Sequence, residues 1–181
     1  MSRLLALSIA CLVLAGCGDE GGDSNPMSSD HELVGTWTFE NTNLESLIAD
    51  GAADMLRDLG YSEFDIQIRI QGLKDGFNDS SLINELWQIR FGKGGFYDTN
   101  EGEEGTWAVD GSQVRIVTDN VEIWRYFIGG NKLTLSMAWP EAEKLLRKDM
   151  GDLDADFQVL FNAIFAYIDD DERLTLIYAH S

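Results

Sequence analysis

Between Trp87 and Met137 the chain reverses direction five times, and each reversal is written in turn residues. Trp87, Ile89 and Phe91 alternate with Gln88 and Arg90 before Gly92-Lys93-Gly94-Gly95. Phe96–Asn100 then leads to Glu101-Gly102-Glu103, Gly105–Val109 to Asp110-Gly111, Gln113–Thr118 to Asp119-Asn120, and Val121–Ile128 to Gly129-Gly130-Asn131 and Lys132–Met137. A period of two marks half-buried strands, and Asp-Gly between two of them is a strong hairpin signal. Short strands joined by tight turns pair with their sequence neighbours, so this stretch predicts an antiparallel meander. A meander either keeps two open edges or closes on itself.

Two further strands bring the number to about eight. Leu33–Glu40 places Gly35, Trp37 and Phe39 on one face and Thr36, Thr38 and Glu40 on the other. A glycine two residues before a tryptophan suits the closed end of a small barrel, where the glycine lets another backbone come close and the indole plugs the core. Gly105-Thr106-Trp107 repeats that tripeptide, and Arg173–His180 reads as the last strand, reached through Asp169-Asp170-Asp171. Eight strands close a barrel around side chains or one small ligand. The predicted fold is mainly β with helical insertions: a small antiparallel up-and-down barrel over residues 33–181.

The insertions are expected at about 43–60 and 140–168. Asn43 can cap a helix with Leu44, Leu47, Ile48, Ala52, Met55, Leu56 and Leu59 on one face, stopped by Gly60. Pro140 starts a helix with Ala142, Leu145, Leu146 and Met150 on one face, ending near Gly151. Asp152 or Asp154 can cap the next helix, whose broad face holds Leu153, Phe157, Leu160, Phe161, Ile164, Phe165 and Ile168. Phe64–Gln71 is ambiguous. Phe64, Ile66, Ile68 and Ile70 alternate as in a strand, the slightly stronger pattern; Ile66, Ile70, Leu73 and Phe77 also share a helical face, and Ser62 with Asp65 can form a capping box.

The N-terminus reads as an export and anchoring signal. After Arg3, an apolar run from Leu4 to Ala15 is too short to span a bilayer and matches the core of a signal peptide. Leu14-Ala15-Gly16-Cys17 resembles the bacterial lipoprotein signal, which implies cleavage after residue 16 and acylation of Cys17. The resemblance also implies that Gly18, not Asp, after the cysteine favours the outer membrane. Residues 17–32 are then the lipidated cysteine and a Gly-, Ser- and Asp-rich tether with a reach of roughly 20 Å. His31 in it has no His or Cys neighbour and reads as a spacer. Cys11 is lost with the signal, so the mature chain has no disulfide and depends on its core.

With 32 acidic against 13 basic residues, the formal net charge is −19. That argues against nucleic acid as a partner and against electrostatic binding to anionic lipid surfaces. The sequence offers no cofactor motif and no nucleophile elbow, and its two histidines stand far apart, so no enzyme is predicted. Asp152-Leu153-Asp154-Ala155-Asp156 begins like a calcium loop but has Phe157 and Ala163 where glycine and a bidentate glutamate belong, so no metal is predicted.

Gly35-Thr36-Trp37, the helical insertion after it, and the Gly-linked meander through Gly105–Gly111 together resemble bacterial lipocalin-like lipoprotein domains. Gly35 and Trp37 correspond to the Gly-x-Trp of lipocalins. Thr118-Asp119 followed by Asn120 only partly matches the later Thr-Asp-Tyr motif, and Arg173 falls too early for the arginine that packs over the tryptophan. The resemblance implies binding of a small apolar molecule in some members and no ligand in others. Candidate ligand-binding residues are Trp37, Trp107, Phe127 and Arg125. Arg125 shares a face with Val121, Ile123 and Phe127, opposite Trp124, Tyr126 and Ile128. A strand apolar on both sides is expected beneath the helices, with Arg125 either ion-paired there or meeting an acidic head group. The predicted function is that of an outer-membrane-anchored periplasmic lipoprotein binding a small, mostly apolar molecule in the barrel or under its helices; the alternative is a non-catalytic cell-envelope interaction or structural module with a filled barrel.

Overall fold

The computed structural model describes residues 31–79, 87–149 and 155–181. Eight strands form a closed barrel in chain order: β1 (Gly35–Thr42), β2 (Gln88–Phe91), β3 (Phe96–Thr99), β4 (Glu104–Asp110), β5 (Gln113–Val117), β6 (Val121–Gly129), β7 (Lys132–Ala138) and β8 (Arg173–His180). All neighbouring pairs are antiparallel, including the seam between β1 and β8. Helices α1 (Leu44–Asp58) and α2 (Glu63–Asp79) connect β1 to β2, and α3 (Trp139–Asp149) and α4 (Ala155–Phe165) connect β7 to β8. The predicted barrel with helical insertions is the observed architecture.

The up-and-down order puts both helical connections at one end, called upper here, and the turns at 92–95, 110–113 and 129–132 at the lower. Tight turns do the lower work. Gly111 has φ 58° and Gly130 φ 63°, conformations open to glycine and costly for a side chain. At Gly105 the constraint is space, because an added Cβ would lie 2.2 Å from the Val117 carbonyl oxygen. At Gly35 the close neighbour is a side chain, not the expected backbone: the His180 ring, whose Nε2 would be 2.7 Å from such a Cβ.

Alternation sorts the sheet as the sequence predicts. Trp37, Phe39, Ile89, Phe91, Tyr97, Trp107, Val114, Ile116, Trp124, Leu133, Leu135, Met137, Leu174 and Tyr178 are buried in one core cluster. Helices supply its upper part: Leu47, Ile48 and Ala52 from α1, Trp139 and Ala142 from α3, Ile164 and Phe165 from α4, with Ile168 beyond. α1 lies between α2 and α4. Its Gly51 admits α4, since a Cβ there would lie 2.8 Å from Ile168 Cγ1 and 3.0 Å from the Ile164 carbonyl oxygen.

Several expectations change. Phe64–Gln71 is not a strand; it belongs to α2, so the first insertion runs past residue 60 to Asp79. Half of the capping box is made: Ser62 Oγ accepts from the Asp65 amide at 3.2 Å, while the Asp65 carboxylate accepts from that hydroxyl at 2.6 Å. The helix separates isoleucines that a strand would align. Ile66 is 2% exposed and Ile68 58%. Asn43 precedes α1 without a side-chain cap. Its amide instead clamps β8, donating to the Arg173 carbonyl at 2.8 Å and accepting from the Thr175 amide at 2.7 Å. Gly60, φ 82°, does stop α1. The broad face expected after Pro140 is buried only in its C-terminal half, whereas Phe157, Val159 and Leu160 face water. Residues 1–30, the caps Asp152 and Asp154 and the stop at Gly151 lie outside the described residues.

Candidate functional site

The interior of the barrel is the natural place to look for a site, and rings run through it from end to end. At the lower end Leu33 lies fully buried beneath β1, and Trp37 Nε1 donates to its carbonyl at 2.9 Å. The His180 ring stands edge-on to Trp37 at 4.8 Å. Arg173 is elsewhere, donating to the Ser136 carbonyl at 3.1 Å. His31 is more than a spacer. Its Nδ1 accepts from the Leu33 amide at 3.2 Å, and its ring meets Trp107 at 5.7 Å and Tyr126 at 6.0 Å.

Beside this plug Phe91 packs against Trp107 at 5.1 Å and Tyr97 at 5.6 Å, and Trp107 Nε1 donates to the Gly92 carbonyl at 3.0 Å. Under the helices Phe39, Trp87 and Tyr178 form a triangle with centroids 5.7 to 6.1 Å apart. Side by side, such rings leave the upper interior occupied by the protein itself. Trp139 closes the top edge-on to Phe165, and its Nε1 has no partner among the described residues.

The polar members of the interior were not among the predicted site residues. Glu122 is in phase with Trp124 on β6, and its Oε2 accepts from Trp124 Nε1 at 2.8 Å. Tyr97 and Tyr178 are buried nearby. Burial pushes the Tyr97 phenol upward, aided by the carboxylates of Glu103, Glu122 and Asp98. Burial also raises Tyr178 well above its ordinary value, followed by Tyr97 and Glu122. Both phenols therefore stay neutral across ordinary pH. The signal was present: alternation with Trp124 sends Glu122 inward, and Tyr97 and Tyr178 fall in phase with their strands' core residues.

Of the candidate ligand residues, Trp37 and Trp107 are buried inside. Arg125 and Phe127 point out of the barrel, so the four do not line one cavity. The expectation that their face lies beneath the helices is corrected, because both helical pairs sit at the upper end and leave it open. Arg125 makes no ion pair among the described residues. A cleft of about 420 Å³ lies outside the barrel between α1 and α2. Arg57, Glu63, Gln67, Gln71 and Lys74 make it polar, and Arg57 is already bound to Glu63 at 2.9 Å. Among the described residues no group of three or more His, Cys, Asp or Glu side chains is arranged to hold a metal, and no helix is long and apolar enough to cross a membrane.

Fold and interior define a closed, lipocalin-like up-and-down barrel, plugged below by its first strand and covered above by helices. Comparison with protein-family models, with curated proteins and with solved structures gave no match.

Proposed function

We propose that this chain is a lipoprotein of the bacterial cell envelope, acylated at Cys17 and held on the periplasmic face of the outer membrane, where its barrel serves as a non-catalytic interaction module. The observation that carries the reading is the filled interior. A binding cavity for a small molecule usually has about 300 Å³ or more of mostly apolar space. Here Trp37, Phe91, Trp107, Trp124 and Tyr178 occupy that volume, so recognition falls to the outer surface. The anchor rests on Leu14-Ala15-Gly16-Cys17 and on the tether that follows.

Two measurements test this. Cys17→Ser removes the sulfur that carries the acyl chains, so the protein should lose its lipid mass and leave the detergent phase. A Cys17→Ser protein that remains processed and membrane-bound would refute the anchor. Organic extracts of the purified full chain, analysed by mass spectrometry, should contain no small molecule at one per barrel. The second reading, a small apolar ligand beneath the helices, is favoured by Glu122, Tyr97 and Tyr178, which place polar groups among the upper rings. A stoichiometric apolar molecule in the extract would establish it instead.

A further inference from the structure

The outer wall of β5, β6 and β7 differs from the rest of this acidic protein. Its outward positions carry no carboxylate, although the chain has 32. They carry Arg115 and Arg125, both exposed and without an ion pair among the described residues. Arg115 stands opposite Ile123 and Arg125 follows on β6; around them lie Val121, Ile123 and Phe127, which are 54%, 51% and 68% exposed, with Val117 beside Val121. Other exposed apolar side chains, on α2 and α4, stand at the upper end among Glu63, Asp65 and Asp156. The wall is also near the point where the chain arrives. His31 packs on Tyr126 and Trp107, so the segment that leads back to Cys17 begins at the lower end beneath β4 and β6.

We infer that this wall is the face the anchored domain turns toward the bilayer, with Arg115 and Arg125 on anionic headgroups and Val121, Ile123 and Phe127 at the interface. The inference rests on acylation at Cys17. A net charge of −19 would keep a free domain away from anionic lipid, so this wall supplies orientation and the acyl chains supply affinity. At physiological salt a charge is felt over only about 8 Å, so the side chains nearest the membrane decide which way the domain faces. The adjoining wall of β3 and β4 would instead bring Asp98, Glu104 and Asp110 to the headgroups. Arginine stems with charged tips, set around aliphatic side chains and a phenylalanine, suit the boundary between headgroup and acyl chain.

The test uses the full acylated chain in vesicles of phosphatidylethanolamine and phosphatidylglycerol, with a fluorophore on Gln113→Cys or Thr36→Cys. Gln113 sits at the lower end of β5, and Thr36 at the lower end of β1 across the barrel, both facing outward. Flotation is measured first, and brominated lipid then quenches whichever label faces the bilayer. The label at 113 should be quenched and that at 36 spared. Arg115→Gln with Arg125→Gln should leave flotation intact and shift the balance of orientations about thirtyfold, the effect of two arginines at an anionic surface. Equal quenching at both positions, or stronger quenching at 36, overturns the orientation while leaving the anchor standing. An unquenched label at 113 also overturns it and points to a soluble acidic protein as the occupant. A chain that does not float overturns the anchor and the orientation together.

Discussion

At the scale of single residues, the barrel depends on where a few polar atoms find partners. Trp37 buries its ring and satisfies its N–H on the Leu33 carbonyl, so truncation loses both. Trp37→Ala should cost about 3–5 kcal/mol, read as a lower denaturant midpoint at unchanged slope. A midpoint near that of the unaltered protein would show that β1 does not organise the core. The buried phenols make a second prediction. Tyr97 and Tyr178 have folded-state pKa values raised above the ordinary value of about 10, so the unfolded chain gives up those protons first. Their contribution to stability is complete below about pH 10 and falls as pH rises beyond it, by up to about 2.7 kcal/mol per pH unit for the two. Unfolding midpoints followed from about pH 8 to about pH 12, beside phenolate absorbance, should show unfolding and ionisation of both tyrosines coming together. Phenolate absorbance from both in a still-folded protein would contradict their burial.

Elements were legible in proportion to how local their cause is. Alternation and Gly turns determine β2 to β7, and Arg173–His180 matches the observed β8. Phe64–Gln71 misleads because apolar residues at every second position satisfy a strand, while Ile70 and Leu73, packed against the core, and the buried Ile66 share one helical face. The site was less legible. Alternation puts Glu122 and Trp124 on one face of β6, but the sequence does not say that the opposite face lacks a covering helix. Packing between α1 and α4 gives a paired test. Gly51→Ala gains helix propensity of about 1 kcal/mol, but its methyl meets Ile168 and the Ile164 carbonyl, an overpacking that costs about 1–3 kcal/mol. The net should be destabilising. Gly72→Ala in α2 meets nothing within 4 Å and should stabilise by about 0.5–1 kcal/mol. Equal shifts for the two would remove the close approach from the account. Hydrogen exchange should likewise divide α4, slow at Ile164 and Phe165 and fast near Phe157. Uniformly slow exchange would mean that the exposed half has found a cover.

At the scale of the molecule, the seam between β1 and β8 has a consequence for the order of events. Trp37 pairs with His180, so the residues that close the barrel lie near opposite ends of the chain. Local hairpins from β2 to β7 form without waiting for them, but joining the first strand to the last closes the longest loop the chain contains, and such contacts are slow. A truncated chain ending before Arg173 has no β8 and leaves β1 and β7 as open edges. For a polypeptide threaded through a membrane N-terminus first, the barrel cannot be completed until its last residues have crossed. If the chain is exported as proposed, this topology would keep it pliable during translocation and reserve its rigidity for the far side.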